Sequence, residues 1–190
     1  MELMGNPWKQ AASVADLGNL MADWLEGRLG GWTPGYLDDR PDEETNHLIP
    51  VLAACNRAGF VTTNSQPGRP PERGYDGRMW RQRAFVEGWI VDGALLGRIR
   101  AAAKRAGMTA IAHGPSSRGG NWIPLVEADD EIQMAAGDYL GHRRVINSEW
   151  QGIGRHATNE LRHAIHIDLI GPVWGRDDRL WSALADAIRS

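Results

Sequence analysis

The sequence predicts a single α+β domain in which a mixed β-sheet of about five strands packs against about four helices. The chain has 190 residues, of which 42% are hydrophobic and 24% charged, so it can bury one sizeable core. Its candidate helices and strands do not alternate regularly, which disfavours a doubly wound parallel fold. We expect residues 1–190 to form one domain with an N-terminal two-helix segment (9–58), a sheet-containing core (59–171) and a C-terminal helix (176–189).

Two helices are expected in the N-terminal segment. Lys9 to Glu26 carries apolar residues at helical spacing, and Ser13 and Asp16 are placed as a capping pair. The second helix should span about 42–58, where acidic residues suit its N-terminus. Pro50 within that range marks either a kink or the true start of the helix.

The stretch 58–92 predicts two neighbouring strands. Phe60 to Thr63 has the aromatic and β-branched residues of a short strand, and residues 67–68, Pro-Gly, force a turn after it. The longer second strand runs through 82–91. Both of its faces are apolar apart from Glu87, so we expect it to be the central strand of the sheet.

A third helix should follow, capped by Asp92 and ended by Gly107. Strands are then expected at 108–112 and 122–127. Pro124 interrupts the second of these strands and therefore favours an edge position, because proline cannot donate a ladder hydrogen bond.

The pattern is weaker beyond residue 128. Residues 131–139 fit a short helix, and residues 143–148 fit a strand. Residues 164–170 alternate apolar and polar side chains, which predicts another strand.

Composition limits the classes of function. The formal net charge is −3, and nucleic-acid-binding proteins usually present a basic surface, so we do not expect nucleic acid as a partner. Cys55 is the only cysteine, which excludes an intramolecular disulfide and a cysteine-built zinc site. No apolar stretch is long enough to span a membrane and no leader pattern opens the chain, so we expect a soluble cytoplasmic protein without membrane contact. Lys9 and Lys104 are the only lysines among 21 basic residues, a bias that indicates GC-rich coding.

The uncharged polar residues where the first strand ends are the strongest candidates for binding. Hydroxyl and amide groups there can bind the edge of a sugar, base or amide, and ligand crevices often form at strand ends. Turn chemistry explains part of this composition, but Ser65 and Gln66 add polarity that a turn does not require. The predicted ligand-binding residues of this corner are Thr62, Asn64, Ser65 and Gln66.

Charged residues extend the candidate site. Arg81 and Arg83 could meet a negative charge on a ligand. Glu87 would have a raised pKa on its apolar strand face unless it is paired. A structural arginine–glutamate pair explains the same residues equally well. His113 opens a glycine-rich loop whose N–H groups could face an anion, although a plain connection between two strands explains that loop too.

We predict no metal site and no cofactor. His163 and His166 would point to opposite faces of a strand, so they could not bind one ion together. His166 and Asp168 instead fit a polar surface face of the strand at 164–170. Cys55 falls on the buried stripe of a helix, where a lone thiol is usually inert.

Nine tryptophans are the main indication of a binding function. Trp24, Trp89 and Trp181 lie on faces that we expect to be buried. The other six fall in loops or near element ends, where an indole can line a pocket or anchor a partner protein. These six are Trp8, Trp32, Trp80, Trp122, Trp150 and Trp174.

Asn56 to Gly68, followed by Arg81 to Trp89, resembles an uncharacterised domain family of actinobacteria and their phages. The resemblance covers mainly residues 8–100 and implies no assigned activity. More loosely, the order of helix, Gly-Phe, threonine, polar corner and returning strand is similar to small ferredoxin-like modules. Those modules carry a cysteine where Gln66 stands here, so a cysteine-dependent role does not carry over.

The sequence supports three hypotheses. The leading one is a small-molecule-binding protein, an enzyme or a sequestering binder, that recognises a polar or nucleotide-like ligand at the corner 62–68. The alternative is a phage- or host-associated protein that docks on a protein partner and has no catalytic site. The third is a hydrolase or transferase with His113 or His163 as general base. Neither the oligomeric state nor the reaction follows from the sequence.

Overall fold

The computed structural model describes residues 6–35 and 40–189, which form an α+β domain with a seven-stranded sheet. The helices are α1 (Pro7–Gln10), α2 (Val14–Leu25), α3 (Ile49–Arg57), α4 (Gly93–Ala106), α5 (His142–Glu149), α6 (Arg155–Leu161) and α7 (Asp178–Arg189), with a 3₁₀ helix at Glu43–Leu48. The strands are β1 (Phe60–Gln66), β2 (Arg69–Arg73), β3 (Met79–Ile90), β4 (Thr109–His113), β5 (Ile123–Ala128), β6 (Glu131–Ala136) and β7 (Ile165–Trp174). The predicted α+β class is confirmed, with more elements than expected.

The sheet is organised around β3. The strand order is β4-β7-β3-β5-β6, and β1 and β2 also pair with β3. The prediction of a central strand is therefore confirmed. All of these described strand pairs are antiparallel rather than mixed. Side-chain alternation marks where strands lie but carries no information on their direction, which explains this difference.

The N-terminal helices follow the predicted local rules. Ser13 Oγ accepts a hydrogen bond from the Asp16 N–H at 3.1 Å, and Asp16 Oδ2 accepts one from the Ser13 N–H at 3.0 Å, which confirms the capping pair. Pro50 lies in the first turn of α3, so it marks the start of that helix rather than a kink. The two helices α2 and α3 pack together and on β1.

Two predictions for the strands β5 and β6 are wrong. Residues 131–139 contain β6 instead of a short helix, because Asp129 and Asp130 adopt φ values of 49° and 64° and turn the chain into a β5-β6 hairpin. The strand β5 lies between β3 and β6 rather than at an edge. Pro124 is tolerated because only residues 126–128 of β5 pair with β3.

The predicted strand at 143–148 is also wrong, because this segment forms α5. Val145 and Ile146 are buried and their neighbours Arg143 and Arg144 are exposed, so one helical face packs inward. The β-branched pair favours a strand by local propensity, but burial of that face decides the outcome.

The main core lies between the sheet and the helices, and it contains Trp24, Trp89 and Trp181 as predicted. Trp8 and Trp150 are also buried there, so the expectation that they meet a ligand or a partner is wrong. The helices α4 and α7 pack on each other beside the sheet. None of the helices described is long and apolar enough to cross a membrane.

Candidate functional site

The register of four adjacent strands places a row of polar residues on one face of the sheet. Asp168 of β7 pairs with Glu87 of β3, which pairs with Asn64 of β1. His113 of β4 pairs with His166 of β7, two residues along β7 from Asp168. Residues that pair directly in antiparallel strands point to the same face. These five residues therefore form one group, which we call the polar row.

A β-bulge separates two of the predicted ligand residues. Thr62 pairs with Gly88, and the next pair is Asn64 with Glu87, so Thr63 is an extra residue in β1. In a regular strand Thr62 and Asn64 would share a face. The bulge instead leaves Thr62 on the helix-covered face and puts Asn64 in the polar row.

The members of the polar row approach one another without forming good hydrogen bonds. His166 Nδ1 lies 3.4 Å from Asp168 Oδ1, and His166 Nε2 lies 3.8 Å from Glu87 Oε2. His113 Nε2 lies 3.6 Å from Asp168 Oδ2. The exposed fractions of His113, His166 and Asp168 are 4%, 3% and 4%. The prediction that His166 and Asp168 form a surface face is therefore wrong, because the chain after β6 covers them.

Aromatic rings supply that cover. Tyr139 stacks on His113, with ring centroids 4.3 Å apart and planes tilted by 8°. Trp89 contacts His142 and His166 edge-on at centroid distances of 5.0 and 4.9 Å. His142 Nε2 lies 2.8 Å from a backbone carbonyl oxygen, to which it must donate, so its Nδ1 accepts from the Tyr139 hydroxyl at 2.8 Å. These rings exclude water from most of the polar row.

Several buried polar atoms in this region have no hydrogen-bond partner. They are His113 Nε2, His166 Nδ1, Asp168 Oδ1 and, from α5, Glu149 Oε2. Buried polar groups in native proteins are nearly always hydrogen-bonded, and each unsatisfied group costs about 1–3 kcal/mol. Four of the unsatisfied atoms among the described residues therefore belong to the polar row and its neighbour Glu149.

Burial and crowding favour the neutral forms of these groups. Burial raises the pKa of Glu87 well above its ordinary value, and repulsion from Asp168 and Glu149 adds to the shift. Burial also raises the pKa of Glu149 and of Asp168. Burial lowers the pKa of His166, and the two neighbouring imidazoles contribute in the same direction. The raised pKa expected for an unpaired Glu87 is thus confirmed.

A cavity of about 360 Å³ opens onto the polar row. The strand β1 lines it with Thr63, Asn64 and Ser65, and α5 contributes Glu149. Glu87 belongs both to the cavity wall and to the polar row, and its side chain is 24% exposed. The Asn64 side chain partly opposes the upward shift of the Glu87 pKa. Glu87 therefore connects the cavity to the buried histidines and Asp168.

Two predicted ligand residues serve the fold instead. Asn56 Oδ1 accepts from the Thr62 N–H at 3.0 Å, and Asn56 Nδ2 donates to Thr62 Oγ1 at 2.7 Å. Gln66 Nε2 donates to the Arg83 carbonyl oxygen at 2.8 Å. Neither Thr62 nor Gln66 lines the cavity.

The predicted arginines lie toward the start of β3, away from Glu87. Arg81 Nε donates to Glu127 Oε2 at 2.8 Å. The guanidinium carbons of Arg81 and Arg83 lie 4.8 and 4.6 Å from the Trp174 ring centroid. The structural arginine–glutamate pair is therefore present, but its carboxylate is Glu127 rather than Glu87.

Of the predicted ligand residues, Asn64, Ser65 and Glu87 line the cavity, and His113 lies behind Glu87 in the polar row. His163 is exposed in the turn before β7. Of the two histidines considered as a general base, only His113 belongs to the polar row. Tyr139, His142 and Glu149 were not predicted, because their proximity depends on how α5 packs.

Three residues of the polar row could hold a metal ion. Glu87, His166 and Asp168 each offer one atom, and these atoms lie within 4.8 Å of one another.

A second, wider hollow of about 580 Å³ beside α5 is lined by Arg118, Arg143 and Arg144. All three arginines are exposed, so solvent and salt screen their charges.

The comparisons with known proteins give one result that concerns the whole chain. A family model described as "Domain of unknown function (DUF6919)" matches residues 4–190. No curated protein matches the sequence. The matched range includes every strand that contributes to the polar row and to the cavity.

Proposed function

Since the chain belongs to the DUF6919 family, a domain of unknown function, we propose from its own residues that it binds a small polar molecule in the cavity beside Glu87. The observation that carries this proposal is the uncharged hydrogen-bonding edge formed by Thr63, Asn64 and Ser65 on a cavity of about 360 Å³. Thr63 Oγ1 is buried there without a hydrogen-bond partner. Small-molecule sites are commonly hollows of about 300–1,000 Å³ with a few such polar groups.

The charges around the cavity restrict the ligand. Glu87, Glu149 and Asp42 line it, and Arg40 is the one basic residue among the lining residues described. A phosphate group would meet like charge there or require the carboxyl groups to be protonated, whereas an amine, amidine or nucleobase edge can donate hydrogen bonds to them. We therefore refine the nucleotide-like ligand to a nucleoside, nucleobase or amine that donates hydrogen bonds.

Thermal-shift screening followed by isothermal titration calorimetry tests this proposal. Ligands at millimolar concentration should include nucleobases, nucleosides, nucleotides and small amines. A true ligand should bind about 5- to 150-fold more weakly to Asn64→Ala, since the loss of one buried hydrogen bond costs about 1–3 kcal/mol. Asn19→Ala is the matched control, because Asn19 is exposed on α2 and distant in the fold from β3. No hit in any class, or a hit that Asn64→Ala leaves unchanged, contradicts the proposal.

Origin and location form part of the proposal. The resemblance to actinobacterial and actinophage domains, together with the preference for arginine over lysine, supports a source with GC-rich coding. A single buried cysteine supports a cytoplasmic location, because disulfides are rare there.

A docking function is the second candidate, and a specific observation favours it. Trp122 and Trp32 are 68% and 48% exposed, and large exposed aromatic residues are frequent in protein interfaces. Pull-down with the native chain and with the Trp122→Ala variant measures whether Trp122 contributes to the binding of a protein partner. A partner captured equally by both would remove Trp122 from the interface.

A further inference from the structure

We propose that Glu87, His166 and Asp168 form a binding site for a divalent transition-metal ion, of the Mn²⁺, Fe²⁺ or Zn²⁺ class, at the cavity wall. This site goes beyond the small-molecule proposal and does not require an organic ligand. The sequence-based expectation of no metal rested on His163 and His166 pointing to opposite faces of a strand, and it assigned His166 and Asp168 to a surface face, whereas both are buried.

The spacing of the three groups is the first support. Ligand atoms bound about 2.1 Å from one ion lie roughly 3.0–4.2 Å apart. The contact between His166 Nδ1 and Asp168 Oδ1 is 3.4 Å, which falls in this range and is long for a good hydrogen bond. One ligand atom from each of Glu87, His166 and Asp168 lies within 4.8 Å of the others, so a slight approach of the three groups would let them share one ion.

The lack of other partners is the second support. His166 Nδ1 and Asp168 Oδ1 are buried and accept or donate no hydrogen bond. In the described residues, neither Glu87 nor Asp168 forms an ion pair with an arginine or lysine, and their close ionisable neighbours are His113, His166 and the Glu149 carboxyl group. A bound cation would satisfy these atoms, whereas an unpaired buried carboxylate is costly.

The surrounding residues orient the proposed ligands. Asn64 pairs with Glu87 across β1 and β3, so its side chain lies on the same face as the Glu87 carboxyl group. His113 Nε2 lies 3.6 Å from Asp168 Oδ2. Such outer contacts are typical of metal sites, where they fix the direction of the ligand atoms.

The donor set indicates the class of metal. One imidazole nitrogen with two carboxylates suits Mn²⁺, Fe²⁺ or Zn²⁺ better than Ca²⁺ or Mg²⁺, which prefer all-oxygen sites. Three protein ligands leave at least one coordination position free. Because Glu87 lines the cavity, that position would face the space proposed for the small molecule.

Metal titration of the 190-residue chain tests the site. The protein is treated with a chelator, dialysed, and titrated by calorimetry with Mn²⁺, Zn²⁺ and Mg²⁺ as chloride salts, and elemental analysis counts the bound ions. We expect one Mn²⁺ or Zn²⁺ per chain, bound at least 10-fold more tightly than Mg²⁺, with a rise in Tm. No organic ligand is present, so failure of the small-molecule screen leaves this test intact.

Variants locate the bound ion. Asp168→Asn and His166→Gln should each weaken binding at least 100-fold. Asp130→Asn and His163→Gln are matched controls, since the Asp130 side chain is 89% exposed and His163 is exposed, and they should bind as the native chain does. If the Asp168 or His166 variant fails to fold, the partly exposed Glu87→Gln takes its place. Metal binding that survives in the folded site variants, or that never exceeds Mg²⁺ affinity, overturns the proposal.

Discussion

Asn56→Ala should destabilise the protein strongly, although Asn56 is not part of the cavity. Asn56 is 1% exposed and joins α3 to β1 through its bonds to the Thr62 N–H and Thr62 Oγ1. Its Nδ2 also donates to the Leu52 carbonyl oxygen at 2.9 Å. The truncation leaves two buried groups of Thr62 without partners.

The magnitude follows from those two groups. Each orphaned buried group costs about 1–3 kcal/mol, so the free energy of unfolding should fall by about 4 kcal/mol. For a chain of this size, about 1 kcal/mol lowers Tm by roughly 2–4 °C, which gives a fall of roughly 8–16 °C. Thr62→Val removes only the hydroxyl and keeps the N–H bond to Asn56, so it should cost about 1–2 kcal/mol.

Urea denaturation followed by tryptophan fluorescence and far-UV circular dichroism measures both variants and the double variant. Because the two side chains bond to each other, the double variant should be at least about 1 kcal/mol more stable than the sum of the single effects predicts. An Asn56→Ala cost below about 1 kcal/mol, or strict additivity, would refute the structural role assigned to this pair.

Three other predictions concern stability and reactivity. Gly88→Ala should lower the free energy of unfolding, measured by urea denaturation, by at least about 3 kcal/mol, because a Cβ there would lie 2.2 Å from the Val61 carbonyl oxygen. Gly97 lies in α4 with open space around it, so Gly97→Ala should instead raise the free energy of unfolding by about 0.5–1 kcal/mol. Hydrogen bonds from backbone N–H groups and Ser13 lower the pKa of Asp16, so the ionised Asp16 stabilises the folded chain above the unfolded pKa of 3.8 and this stabilisation is lost below it. The Tm difference between the native chain and Asp16→Asn should therefore shrink as the pH falls through about 4. A Tm difference that stays constant with pH would contradict this. Burial raises the pKa of the Cys55 thiol to about 12, so a thiol reagent should label it in urea and not in buffer; rapid labelling of the folded chain would contradict its burial.

Local patterns predict much of this fold because they depend on neighbouring residues. The capping pair of α2 and the caps of α4, Asp92 and Gly107, follow from side chains a few residues apart. The buried pattern of β3 identifies it as central without knowledge of its partners. Local patterns do not predict the helix α5. Its Val145 and Ile146 favour a strand locally, and only their burial in the folded chain selects the helix.

Only the part of the candidate site that depends on local sequence could be predicted. Asn64, Ser65 and Glu87 could be proposed from chemistry that a strand end or an apolar face does not require. The pairing of Arg81 with Glu127 could not be predicted from the sequence, because only the register of β3 and β5 brings the two residues together. His166 and Asp168 were assigned to the surface, since alternation shows that two residues share a face but not whether another segment covers that face.

The extra residue at Thr63 has a consequence for how this cavity can change. Thr62 and Asn64 already occupy successive pairing positions opposite Gly88 and Glu87. A chain shortened by Thr63 alone would keep every one of those strand pairs and lose one hydroxyl from the cavity edge. A deletion at this single position would therefore change the polar edge of the cavity while the strand pairs and the hydrophobic interior stay as they are.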